Sequence, residues 1–161
     1  MQVISSKDNE IIKSIKKLKD KKYRDIENEY VIEGIKLLKE AIAEKANIQQ
    51  IIICDDFEKT DEISKELMYE IAKYNCNYVT SKVFKYLTDV QTPQGILAVI
   101  EKTPKDQEID YSQDIIVALD DIQDPGNLGT ILRTVDSVNL KQIIISSKTA
   151  DPYNPKVVRS T

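Results

Sequence analysis

Apolar residues recur along this chain at two spacings, helical and strand-like, and their alternation predicts the architecture. Between Asp8 and Arg24, Ile11, Ile15 and Leu18 fall at helical intervals among lysines, which predicts one amphipathic helix with a narrow apolar stripe. EYVIEG then reads as a short strand closed by Gly34. In IKLLKEAIAEKA, Ile35, Leu38, Ala41 and Ile42 line one face of a second helix. IQQIIIC is an apolar run of strand length, rich in β-branched isoleucine. Thr60 to Tyr74 predicts a third helix, with Ile63, Leu67, Ile71 and Tyr74 in register. NYVT follows as a strand, SKVFKYL as a short helix and GILAVIEK as another strand.

Strands that alternate with helices, and that are apolar on both faces, imply an α/β layer domain with a largely parallel or mixed sheet over residues 1–102. TPKDQEIDYSQ, residues 103–113, is polar, aperiodic and holds a proline, so it reads as a linker. Residues 114–161 open with the strand DIIVALD. A loop containing DPGNLG follows, then the helix GTILRTVDSV and the strand KQIIISS. That is one βαβ unit, for which a right-handed crossover is expected. A unit of about fifty residues cannot cover both faces of a sheet by itself, so this second domain is expected to be incomplete.

Composition narrows the chemistry. The chain has 161 residues and is 41% hydrophobic, enough for one ordinary domain or two small ones with a real core. No apolar run approaches the roughly 20 residues that span a bilayer, and MQVISSKDNEIIKS lacks the apolar core of a signal peptide. Cys54 and Cys76 are too few and too far apart for a zinc knuckle or a redox pair, which suits a reducing cytoplasm. Histidine is absent altogether, so Ser-His-Asp hydrolysis and His-ligated zinc chemistry are excluded, and no metal site is expected.

The net charge of −4 argues against nucleic acid, but the charge is unevenly spread. From Lys7 to Arg24 there are eight basic residues against three acidic ones. A basic N-terminal arm on an acidic body can grip phosphates locally, and Lys13, Lys16, Lys17, Lys21, Lys22 and Arg24 are its candidate contacts. A solvated helix face explains the same lysines equally well from composition alone.

The second candidate lies in DDIQDPGNLGTILRT, Asp120 to Thr134. In a parallel α/β sheet, ligands sit where strands end and loops enter helices, and this loop is at that position. Gly126 and Gly129 permit close approaches that a Cβ would forbid. Asn127 can cap the helix or bind a ligand, and the helix N-terminus favours an anion. Arg133, four residues past Gly129, can lean back toward the same end. A phosphate of the substrate is the expected guest. The loop is neither a Walker loop, lacking its Lys-Ser/Thr pair, nor a GxGxxG turn.

These residues resemble a known family. Asn127, Gly129 and Arg133, set in DDIQDPGNLGTILRT, are similar to the first signature motif of the SpoU (TrmH-type) RNA ribose methyltransferases of the SPOUT class. DPYNPKVVRST, with Pro155, Lys156 and Arg159, resembles the segment that follows that motif. IKSIKKLKDKKYR, YVIEGIKLLKEAI and TPQGILAVI resemble the substrate-binding domain joined to many of these enzymes. The resemblance implies a ribosomal-protein-like α/β/α domain that contacts RNA, followed by the start of a parallel-sheet domain of trefoil-knot type. It implies transfer of a methyl group from S-adenosylmethionine to a ribose 2′-hydroxyl of RNA, ribosomal RNA foremost, by a homodimeric full-length enzyme. Arg133 and Asn127 would serve catalysis, and Gly126, Gly129, Lys156 and Arg159 would serve RNA binding. Family members continue through further motifs and the knot that cradles the cofactor. The chain up to Thr161 is therefore expected to be truncated before the knot, to lack the S-adenosylmethionine pocket and to be inactive alone. A non-catalytic RNA-binding module and an unrelated nucleotide-binding α/β protein are the other readings.

Overall fold

The computed structural model describes residues 3–57, 65–103 and 108–161. The chain divides into two compact units, Met1–Lys102 and Thr103–Thr161.

In the first unit, five strands form one mixed sheet in the order β1 (Val3–Ile4), β4 (Cys76–Val79), β3 (Ile48–Cys54), β5 (Ile96–Glu101) and β2 (Glu29–Glu33). The β1–β4 and β4–β3 pairs are parallel, and β3–β5 and β5–β2 are antiparallel. The two-residue edge strand β1 was not evident from the sequence pattern, because so short a segment shows no period.

Strand alternation sends side chains to opposite faces. On one face Ile52 and Cys54 of β3 and Leu97 and Val99 of β5 cluster with Ile12, Ile15 and Leu18 and with Val83, Phe84 and Leu87. The latter two groups belong to α1 (Glu10–Lys17) with its C-cap and to α5 (Ser81–Leu87). Ile51, Ile53, Ile96, Ala98 and Ile100 are equally buried and alternate to the other face. Helix α3 (Ile35–Ala43) packs on β2 and β5 through buried Ile35 and Leu38. Each fully buried side chain of this kind contributes about 1.5–3 kcal/mol, which is why both faces are covered.

The single helix expected from Asp8 to Arg24 is two. Helix α1 ends at Lys17 and α2 runs Lys21–Glu27. Asp20 makes the break, because its side chain accepts from the Lys22 N–H at 2.9 Å and so starts a new helix. Arg24 seals it. Its Nη1 donates to the main-chain oxygens of Leu18 and Lys19, each at 2.8 Å, where α1 leaves carbonyls without helical partners.

The helix expected over Thr60–Tyr74 is observed as α4 (Lys65–Ile71), with Leu67 and Ile71 buried. Residues 60–64, including Ile63, lie outside the described residues. Tyr74 falls beyond the helix, in the turn before β4.

In the second unit, β6 (Val117–Leu119) and β7 (Ile143–Ile145) pair in parallel, and α6 (Pro125–Ser137) connects them. Strand β6 is shorter than the run DIIVALD suggested. The expected loop at 124–129 is instead the first turn of α6. Asp124 is its N-cap, accepting from the Asn127 N–H at 2.8 Å, and Pro125 takes the first helical position. A Pro-Gly pair reads as a turn in sequence, yet Pro at the first position of a helix forfeits no hydrogen bond. A short helix, α7 (Pro155–Val158), packs on α6 and is capped by Asn154. Leu128 and Val135 of α6 and Val157 of α7 are buried. Ile115, ahead of β6, and Ile145 of β7 are exposed, whereas Val117 and Ile143 are half-buried.

Candidate functional site

The basic arm resolves into two clusters, each built on a tyrosine ring. Around Tyr86 of α5, Lys7 Nζ lies 4.7 Å and Lys16 Nζ 4.4 Å from the ring centroid. Lys16 also donates to the Tyr86 main-chain oxygen, and Lys19 is bound to the Asp89 carboxylate and, at 3.4 Å, to the Thr88 main-chain oxygen. Around Tyr23 of α2, Lys17 and Lys22 lie at 5.6 and 5.8 Å. Such cation–π contacts place the ammoniums themselves over the ring faces.

The environment of Lys16 is perturbed. Partial burial, reinforced by Lys19 and Lys7, lowers its pKa to about 8, while Asp89 opposes the shift. An ammonium that leaves water and faces like charges is costly in its protonated form.

The other sequence candidates fall in different places. Lys13 is exposed and paired with Glu10 at 3.2 Å, and Lys21 is exposed on α2. Arg24 departs from expectation: it is only 2% exposed and its guanidinium is engaged with the end of α1. It holds the α1–α2 junction together and does not face solvent as a phosphate contact must.

At the second unit, the carboxyl ends of β6 and β7 are tied together. Ser146 N–H donates to the Leu119 oxygen at 2.9 Å, Asp121 N–H to Ser146 Oγ at 3.0 Å, and Ala150 N–H to the Ile122 oxygen at 2.8 Å. Asn127 is exposed in the first turn of α6, and Gly126 is half-buried beside the Asp124 cap. Gly129 is buried, and a Cβ there would meet Ser160 Oγ at 2.1 Å, Ser160 Cβ at 2.8 Å and the Val157 oxygen at 3.0 Å. Its role is thus a close helix-to-helix contact, which corrects the expectation that it opens the backbone to RNA. Lys156 on α7 and Arg159 at its C-cap are exposed.

Arg133 is exposed one turn beyond Gly129. Its guanidinium spans two main-chain oxygens after α7, with Nε donating to Thr161 at 3.3 Å and Nη2 to Ser160. The planar fork is therefore oriented by backbone, and no carboxylate forms a salt bridge with it among the described residues. Arg133 is legible in the sequence but its partners are not, since contacts 27 and 28 residues apart have no local signal. The meeting of Lys7, Lys16 and Lys19 with the Tyr86 segment is not legible for the same reason.

Among the described residues no buried side-chain nitrogen or oxygen lacks a partner. Cys54, Asp55 and Asp56 lie close together, but Cys54 Sγ is spent on Asp56 at 2.7 Å.

The chain thus joins an α/β unit with a lysine-rich N-terminal arm to a parallel βαβ unit with a backbone-held arginine. The chain belongs to the MRM3-like substrate binding domain family, whose model matches residues 9–98, and it continues into the SpoU rRNA Methylase family at residues 114–161. This removes the reading as an unrelated nucleotide-binding protein.

It is 31% identical over 160 residues to the 23S rRNA (guanosine(2553)-2'-O)-methyltransferase RlmP of Bacillus subtilis, covering 99% of this chain and 60% of that protein. To rRNA methyltransferase 3, mitochondrial, of Xenopus laevis it is 28% identical, covering 95% of this chain and 37% of that one. The crystal structure of AdoMet-bound rRNA methyltransferase from Sinorhizobium meliloti superposes with a TM-score of 0.78 at 28% identity, covering 99% of this chain and 59% of that one. The chain thus spans about 60% of the length of the Bacillus relative.

Proposed function

We propose that the protein serves 2′-O-methylation of ribose in ribosomal RNA, with S-adenosylmethionine as methyl donor, in the cytoplasm and as a homodimer. In this reading the first unit is the ribosomal-protein-like RNA-binding domain, holding RNA phosphates through Lys13, Lys16, Lys17, Lys21 and Lys22. The second unit opens the trefoil-knot-type catalytic domain. The observation that carries the proposal is Arg133, a solvent-facing fork held by the Ser160 and Thr161 main chain within the SpoU-matching segment.

A ribose hydroxyl is a weak nucleophile at neutral pH and must be aligned. A guanidinium stays protonated at any ordinary pH, so Arg133 does not act as a general base. It stabilises the developing alkoxide or fixes the adjoining phosphate with a preorganised positive charge. Asn127, exposed in the same helix, orients the ribose, and Lys156 and Arg159 add phosphate contacts. S-adenosylmethionine supplies the methyl group when bound. No helix among the described residues is long and apolar enough to cross a membrane.

The test is genetic and chemical. Deleting the gene and mapping ribose 2′-O-methyl groups across ribosomal RNA should reveal one lost position. A wild-type copy should restore it, and an Arg133→Lys copy should not. Unchanged methylation in the deletion strain would leave the second reading, a non-catalytic RNA-binding module. That reading is supported by the two lysine–tyrosine clusters of the first unit.

A further inference from the structure

We propose that Lys7, Lys16 and Lys19, gathered around Tyr86, form a seat for a phosphodiester of RNA. The inference rests on the reading of the first unit as an RNA-binding domain, and it places the contact at residues that the basic run alone does not single out. Three chain segments meet there: the turn before α1, the C-terminal half of α1 with the residues after it, and the end of α5.

The fold has already ordered these side chains. Lys7 and Lys16 lie on one ring at 4.7 and 4.4 Å. The Lys16 and Lys19 ammoniums are further fixed by the main chain of Tyr86 and Thr88. Holding a lysine in place before a ligand arrives removes part of the entropy cost of binding. The Tyr23 cluster is looser, at 5.6 and 5.8 Å, and both its lysines are exposed.

Charge balance separates this cluster from other paired lysines. Lys13, Lys36 and Lys73 each face a glutamate of their own turn, at 3.2, 3.6 and 2.5 Å. Around Tyr86 Lys19 is paired with Asp89, and among the described residues neither Lys7 nor Lys16 has a carboxylate within salt-bridge distance. The pKa of Lys16 is lowered first by burial and then by Lys19 and Lys7. An anion lodged between the three relieves that repulsion, and a tetrahedral phosphodiester presents oxygens to several donors at once.

The test measures binding of a fluorescent RNA stem-loop to the intact chain over a range of salt concentrations. Lys7→Gln/Lys19→Gln is compared with Lys36→Gln/Lys73→Gln, which removes the same charge elsewhere. The first pair should weaken binding about tenfold near 0.1 M salt and flatten the slope of log affinity against log salt by about 1.4, whereas the second should do little. Equal losses from both pairs would overturn the seat while leaving RNA binding intact. Absence of any RNA binding by the wild-type chain would overturn both the seat and the reading beneath it. A polyglutamate that binds as tightly as the RNA would reassign the cluster to acidic peptides. Nitrogen-15 signals of the lysine ammoniums in the wild-type protein give an independent readout. Those of Lys7, Lys16 and Lys19 should shift on RNA addition, and their invariance would also overturn the proposal.

Discussion

Gly129 and Ser160 approach so closely that a Cβ on residue 129 would sit 2.1 Å from Ser160 Oγ and 2.8 Å from Ser160 Cβ. Helix α7 can rest on α6 only because residue 129 has no side chain, and Arg133 reaches the main chain beyond α7 from the next turn.

Gly129→Ala is therefore expected to displace the 157–160 segment and to destabilise the second unit by about 1–3 kcal/mol, the usual cost of overpacking. Adding Ser160→Gly removes the closest atoms and should recover part of the loss. Thermal unfolding of the single and double variants checks both. Equal melting temperatures for Gly129→Ala and wild type would show that the contact is slack.

Arg24 is the counterpart in the first unit. Arg24→Gln removes the donor to two main-chain oxygens where little water reaches, and each unsatisfied carbonyl costs about 1–3 kcal/mol. The urea midpoint should fall accordingly. RNA affinity, corrected for the folded fraction, should stay within about twofold, because no phosphate contact is lost.

Lys16 should make RNA binding dependent on pH. Its pKa in the free protein is about 8, so its ammonium is present at pH 7 and largely lost by pH 9. The groups facing it are Lys7, Lys19, Asp89 and the Tyr86 main-chain oxygen. Bound phosphate favours the charged form and raises the pKa, so the complex takes up protons near pH 8, and affinity falls as pH rises from 7 to 9. Fluorescence anisotropy at the two pH values measures this. Lys16→Arg should flatten the profile, because a guanidinium does not titrate there.

Lys17 and Lys22, exposed beside Tyr23, allow a separate check on the basic arm. If both meet phosphates, replacing them by Gln should flatten the salt slope by about 0.7 for each lost contact on a single strand. An unchanged slope would mark them as a solvated helix face.

What was legible in the sequence follows from what local pattern encodes. The period of Ile51–Ile53, of Ile35 and Leu38, and of Val83, Phe84 and Leu87 reports burial, and burial selects strand or helix. The motif around Asn127, Gly129 and Arg133 was legible because its members sit within one helix. The split of α1 from α2 was not, because lysine-rich helices on either side of Asp20 continue one apparent period, and a cap acts through backbone geometry.

Function-bearing detail depended on tertiary structure wherever distant residues had to meet. Arg24 and Lys16 are both basic residues of one run, yet one seals a helix end and the other faces an aromatic ring. Sequence supplies the charge. Only packing decides whether water, a carbonyl or a phosphate can reach it, because desolvation and partner distance control what a buried or half-buried cation can do.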